Sequence, residues 1–273
     1  MEPWLAAALV GFGAGLHSSI WGMYKDAPHE GFAWSTFFRS MFFATVLGVL
    51  IQQVTGLYPA DAASFVVFFG VVYVVERAVA EAYKTFFRQQ DQSKYTIPMQ
   101  FAVFGKPVTS RGLRALLGAG YVGIMVLTLW LVWLLDRAMD GPPPLWLVFL
   151  VGSAAGWISA FGGAWKDAPI EGFQIFKFFR SPLMAGGYAL LVSLLTSNLV
   201  YIVMAAEGFV IMTTETYKTF FFPGKPRGKF AGKPVLFPEW LKYRQYFVPV
   251  YVLIWLVVIV TWVRAALTSL RAA

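Results

Sequence analysis

The chain predicts an all-α integral membrane protein of about eight transmembrane helices, built as two tandem four-helix repeats in the same orientation. Three observations carry that expectation. Of 273 residues, 58% are hydrophobic and 13% charged, and mean hydropathy is +0.63, which is more apolar surface than a soluble domain of this size can bury. Apolar runs of about 20 residues, the length that crosses about 30 Å of hydrocarbon, recur along the chain. Finally, Lys25-Asp26-Ala27-Pro28-His29-Glu30-Gly31-Phe32 returns as Lys166-Asp167-Ala168-Pro169-Ile170-Glu171-Gly172-Phe173.

The first run, near 4–24, follows Met1-Glu2-Pro3-Trp4 without a basic n-region or a small-residue cleavage site before Lys25, so it is expected to be a retained helix. Gly11, Gly15, Ser18 and Gly22 are spaced four, three and four apart and share one face of it. Small residues on a membrane helix let backbones approach closely. The second run (32–54) carries Arg39 about two turns in, the third (62–87) carries Glu76, Arg77 and Glu81, and the fourth (114–136) closes the first repeat, residues 1–140.

The second repeat, residues 141–273, begins with the run at 145–165, where Gly152, Gly156, Ser159 and Gly163 restore the small face. These two faces are expected to pack closely, one arrangement being against each other at the pseudo-axis. The run at 173–196 repeats Phe37-Phe38-Arg39-Ser40 as Phe178-Phe179-Arg180-Ser181, at the same offset of 141 that separates Lys25 from Lys166. The run at 199–221 carries Glu207 and repeats Glu81-Ala82-Tyr83-Lys84 as Glu215-Thr216-Tyr217-Lys218. A last run near 246–267 completes eight, and Gly105-Lys106-Pro107-Val108 is echoed as Gly232-Lys233-Pro234-Val235.

Four helices per half return the chain to its starting side, so both halves are expected in one orientation about a pseudo-twofold axis along the membrane normal. Of the 22 basic residues, 18 fall in or beside the loops after helices one, three, five and seven. Basic residues flanking spans stay cytoplasmic, which places the repeated motifs and basic loops in the cytoplasm and both termini on the opposite side. The net charge of +8 resides in the two basic loops, 88–114 and 222–244. Attraction to anionic lipid headgroups is the expected role of these loops, not nucleic-acid binding.

Asp26, Pro28 and Glu30 have the chemistry of a helix start, an N-cap followed by a first turn with negative charge at the positive dipole end. Asp167, Pro169 and Glu171 would do the same for helix six. Capping does not require Lys25, Gly31 or Phe32, so Lys25, Asp26, Glu30, Lys166, Asp167 and Glu171 are candidates for substrate binding or gating. Arg39 and Arg180, set within apolar helices, each need a partner, and the expected interhelical ion pairs are Arg39–Glu81 and Arg180–Glu215. Glu76, Arg77 and Glu207 lie at membrane depth without counterparts in the other half, which makes them functional candidates. Arg77 and Glu81 share a face and could neutralise each other, while Glu207, Ile211 and Glu215 share a face of helix seven that would line a polar path.

The chain has no cysteine, and His17 and His29 lack further ligands at metal-binding spacing, so no metal is assigned. No Ser-His-Asp set, phosphate-cradling glycine loop or paired-aspartate motif is present, no catalytic residue or cofactor is assigned, and an enzyme is not the leading expectation. The expected function is solute transport or a channel-like role, with an anion-favouring cytoplasmic site between the repeats. A non-catalytic structural or assembly subunit of a larger membrane complex, with other membrane subunits as partners, is the alternative. A membrane enzyme acting on a lipid headgroup, with Asp26, Asp167, Glu30 or Glu171 as base, is a third.

Overall fold

The computed structural model describes residues 1–89, 99–103, 106–224 and 230–272, with the backbone alone for 165–171 and 272. Helices α1 (Pro3–Glu30), α2 (Trp34–Thr55) and α3 (Ala62–Ala82) are followed by a π-helical turn, Tyr83–Phe87, and a two-stranded antiparallel ribbon of β1 (Ala102–Val103) and β2 (Lys106–Pro107). Helices α4 (Arg111–Arg137), α5 (Leu145–Glu171), α6 (Ile175–Val192) and α7 (Leu199–Phe220) come next. A short α8 (Trp240–Tyr243) and a 3₁₀ turn, Arg244–Phe247, lead into α9 (Val248–Ala272).

Seven of these helices are long and apolar enough to cross a membrane, so the protein is a multi-pass, all-α membrane protein. The eighth expected span is α6, which falls short: it has 18 residues, and Lys177 and Arg180 lie within them. The helix starts follow local chemistry. Asp61 caps α3 by accepting from the Ser64 amide at 2.8 Å, while the Asp61 amide donates to Ser64 Oγ at 2.9 Å. Ser110 caps α4 and Asn198 caps α7.

At the centre α3 packs on α7, where a Cβ added at Gly70 would lie 2.8 Å from Ala205 Cα and one at Gly208 would strike the Gly70 carbonyl oxygen. Phe68, Tyr73, Ile202 and Phe209 from these two helices are fully buried. The small faces of α1 and α5 pack on α2 and α6, not on each other. A Cβ at Gly15 would come within 2.6 Å of Met41 Cα, and one at Gly156 within 2.6 Å of Pro182 Cα, two partners that are themselves 141 residues apart. Gly11 meets Ala44 as Gly152 meets Ala185, so the two hairpins interlock through the same positions.

The repeated motif does not start α2 and α6. Helix α1 runs on through Glu30 and α5 through Glu171, so Asp26, Pro28 and Glu30 lie in the last turns of a helix. Ala33 and Gln174 occupy the N-cap positions, and neither gives a side-chain cap. The reversals occur at Gly31 and Gly172, whose φ values of 78° and 79° few side-chain-bearing residues adopt. Proline is tolerated in α1 because the chain supplies the missing donor from elsewhere. Pro28 leaves the Tyr24 carbonyl without its intrahelical N–H, and Arg244 donates to it from Nη1 at 3.0 Å. The amides of Leu236 and Phe237 then donate to the Pro28 carbonyl, strapping the segment before α8 across the end of α1.

Candidate functional site

Carboxylates near the C-terminal end of a helix oppose its dipole, so capping does not account for Asp26 and Glu30. Their surroundings do more. A cavity of about 1010 Å³ opens between α1, α3 and α4 of the first half and α5, α6 and α7 of the second. Lys25 and Asp26 line it from the last turns of α1, Glu81 and Lys84 from the end of α3 and the π turn, and Glu215 and Lys218 from the end of α7. Lys177 and Arg180 enter from the first two turns of α6. By helix position these groups share one end of the bundle, the end that also carries the basic loops. Deeper along the helices the wall is largely apolar, made of residues such as Val122, Met125, Leu129 and Met204, with Ser159 and Glu207 set into it.

Among the described residues, six basic and four acidic side chains line the cavity, a net excess of positive charge. Lys25 Nζ lies 2.8 Å from Glu215 Oε2 and 4.5 Å from the centre of the Trp21 ring. Lys218 approaches the other Glu215 oxygen at 3.8 Å, and Lys84 approaches Glu81 at 3.2 Å. Arg77 lines the cavity and forms a two-point pair with its neighbour Glu76, at 2.5 Å for Nε and for Nη2, and also donates to Ser40 Oγ at 3.3 Å.

The expected ion pairs are therefore redrawn. Glu215 is held by Lys25 and Lys218, not Arg180, and Glu81 is held by Lys84, not Arg39. Arg39 is exposed at the surface of α2, where its long side chain can reach toward the interface. Arg77 pairs directly with Glu76, and Glu81 one turn on adds to the attraction at longer range. Lys25, Asp26, Arg77, Glu81, Arg180, Glu207 and Glu215 all border the cavity, whereas Glu76 is buried behind Arg77. Glu30 is half-buried at the end of α1. The side chains of Lys166, Asp167 and Glu171 lie outside the described residues.

Glu207, Ile211 and Glu215 present one face of α7 to the cavity. Glu207 is buried and accepts a hydrogen bond from Ser159, and its second carboxylate oxygen has no hydrogen-bond partner among the described residues. Ser159 had been notable only as a small residue. Its hydroxyl meets a carboxylate 48 positions away, which no local pattern announces.

Beside the cavity, His17 is fully buried, 3.0 Å from Tyr73 Oη through Nδ1 and stacked on Tyr251 at 4.3 Å. Trp21 Nε1 donates to the same Tyr73 oxygen at 2.8 Å, and the histidine tautomer sets the direction of the His17–Tyr73 bond. Trp255 donates to Thr216 Oγ1, which also meets Tyr251 Oη. This chain of contacts ties α1, α3, α7 and α9 together, a structural role for the histidine. The described residues hold no cluster of three metal-ligating side chains. No family model, curated protein or solved structure significantly matches the chain.

Proposed function

We propose that the protein handles a solute across or within the membrane, binding it in the cavity between its halves at a site that favours anions. The halves are read as two tandem four-helix repeats inserted in the same orientation about an axis along the membrane normal. Their charged end is read as cytoplasmic and both termini as lying on the opposite side, with the basic loops resting on anionic headgroups. The observation that carries the reading is the cavity itself: its cations come from α1, α3, the π turn, α6 and α7, so neither half makes the site alone. The matching contacts of Gly15 with Met41 and of Gly156 with Pro182 support the repeat.

A structural or assembly subunit is the second reading. It is favoured by the exposed stripe of Trp34, Phe38 and Phe42 along α2, a face that suits lipid or a neighbouring membrane subunit equally.

The absence of native cysteine makes a direct test available. Single variants Ser159→Cys and Ile211→Cys in sealed vesicles, exposed to membrane-impermeant thiosulfonates, are expected to react from the basic-loop side only. The anionic reagent should outpace the cationic one. Cysteines inert from both sides would leave the subunit reading.

A further inference from the structure

We propose that the occupant of this cavity is an amphiphile, a phosphate-type anionic headgroup carrying a hydrocarbon chain, admitted from the bilayer between α4 and α5. The inference rests on the reading of the cavity as a binding site. The first argument is the division of its wall. Most of the charged groups lie at one end, and behind them runs a largely apolar arm lined by Ala78, Val122, Met125, Leu129, Ile158 and Met204, interrupted by the Ser159–Glu207 pair. A wholly hydrophilic solute would leave that arm facing water, which is unfavourable in proportion to the apolar area involved. A chain fills it. At about 1010 Å³ the cavity is also at the top of the range for compact small-molecule sites, about 300–1,000 Å³.

Access is the second argument. Helices α1 and α2 interlock through glycines, as do α5 and α6, yet α4 and α5, consecutive in the chain and both bordering the cavity, make little contact with each other among the described residues. Val126 on α4 and Phe161 on α5 line the cavity while each remains 62% exposed. The inner wall is thus continuous with the lipid-facing surface between these two helices, a sideways entrance that a membrane-dissolved molecule can use and an aqueous solute cannot.

The headgroup chemistry follows from the charged end. Lys177 and Arg180 sit in the first two turns of α6, whose dipole is positive there. Arginine offers a planar donor fork that fits phosphate oxygens, and Lys218 and Lys25 face it from α7 and α1. A headgroup held here keeps its chain directed along α3, α4 and α7.

The test is native mass spectrometry of the full chain, delipidated in detergent and titrated separately with dioleoyl phosphatidic acid, dioleoyl phosphatidylcholine and glycerol 3-phosphate. Phosphatidic acid is expected to occupy one saturable site at least tenfold more tightly than phosphatidylcholine, without displacement by glycerol 3-phosphate. Ala78→Trp, which fills the apolar arm, should weaken it tenfold or more, and Ala78→Leu should fall between, giving a graded readout if the larger substitution disturbs folding. Arg180→Ala should narrow the difference between the two lipids. Binding of glycerol 3-phosphate to wild type and Ala78→Trp alike would overturn the amphiphile while leaving an anion site. Equal binding of both lipids, insensitive to both positions, would mean surface lipid only and also overturn it. No binding by a protein whose Ile211→Cys variant reacts with thiosulfonates removes this inference alone, and no binding with inert cysteines removes the proposed function too.

Discussion

Lys25 of α1 and Glu215 of α7 meet at 2.8 Å across the cavity mouth, each only 15–17% exposed. They belong to different repeated sequence blocks, one from each half, so the pair fastens the first half of the chain to the second. A partly buried pair of this kind costs more to break than to replace, because the remaining charge is stranded. Lys25→Ala or Glu215→Ala alone should destabilise the purified protein by about 1–3 kcal/mol. The exchange Lys25→Glu with Glu215→Lys should recover most of that loss in thermal unfolding. An exchange no better than the single changes would show that the pair contributes nothing.

At the crossing of α3 and α7, Gly208→Ala would drive a methyl group into the Gly70 carbonyl. It is expected to cost about 1–3 kcal/mol, as overpacking does. Gly123→Ala on α4 meets nothing within 4 Å and should be neutral or slightly stabilising, since glycine is the poorer helix former. Paired melting curves in one detergent separate the two.

Arg244 and Pro28 should be energetically coupled although they do not share a hydrogen bond. Arg244→Ala removes the donor that replaces the amide lost at Pro28, and a bond from a charged donor contributes about 1.5–3 kcal/mol. In a Pro28→Ala background the helix can supply its own N–H to the Tyr24 carbonyl. The same Arg244→Ala change should then cost about 1 kcal/mol less. A double-mutant cycle with no coupling would count against this account of the buried proline.

The start of α3 should respond to acid. Asp61 is held below the usual carboxylate range first by the Ser64 amide and then by the Ser64 hydroxyl. Its folded-state pKa is therefore depressed, so its stabilising contribution is present above the unfolded value of about 3.9 and is lost as pH falls through the lower folded value. The protection of the Ser64 and Phe65 amides against hydrogen exchange, taken relative to the intrinsic rate at each pH, should fall below about pH 4 in the wild type and be less pH-dependent in Asp61→Asn. Asp61→Ala should speed exchange at every pH, consistent with a lost cap of about 1 kcal/mol.

The long apolar runs were legible because length and composition alone decide whether a helix can cross a bilayer, and α2, α3 and α7 fall close to their expected bounds. The small faces of α1 and α5 were legible as packing surfaces, but their partners were not, since glycine spacing says how close a neighbour comes and not which neighbour it is. The Lys-Asp-Ala-Pro block was misread as a cap for a specific reason. Asp, Pro and Glu are the residues of a helix start, and the compensation that lets α1 continue past Pro28 comes from Arg244, over two hundred positions later. Glu215 likewise meets Lys25, a pairing between residues 190 positions apart that no local pattern encodes.

The meeting of Gly70 and Gly208 has a mechanical consequence. Backbone rests against backbone there, with no interdigitated side chains to be withdrawn before one helix turns on the other. Any rocking of the two halves would take this point as its fulcrum, with the Lys25–Glu215 contact, which joins α1 to α7, as the latch that must open first.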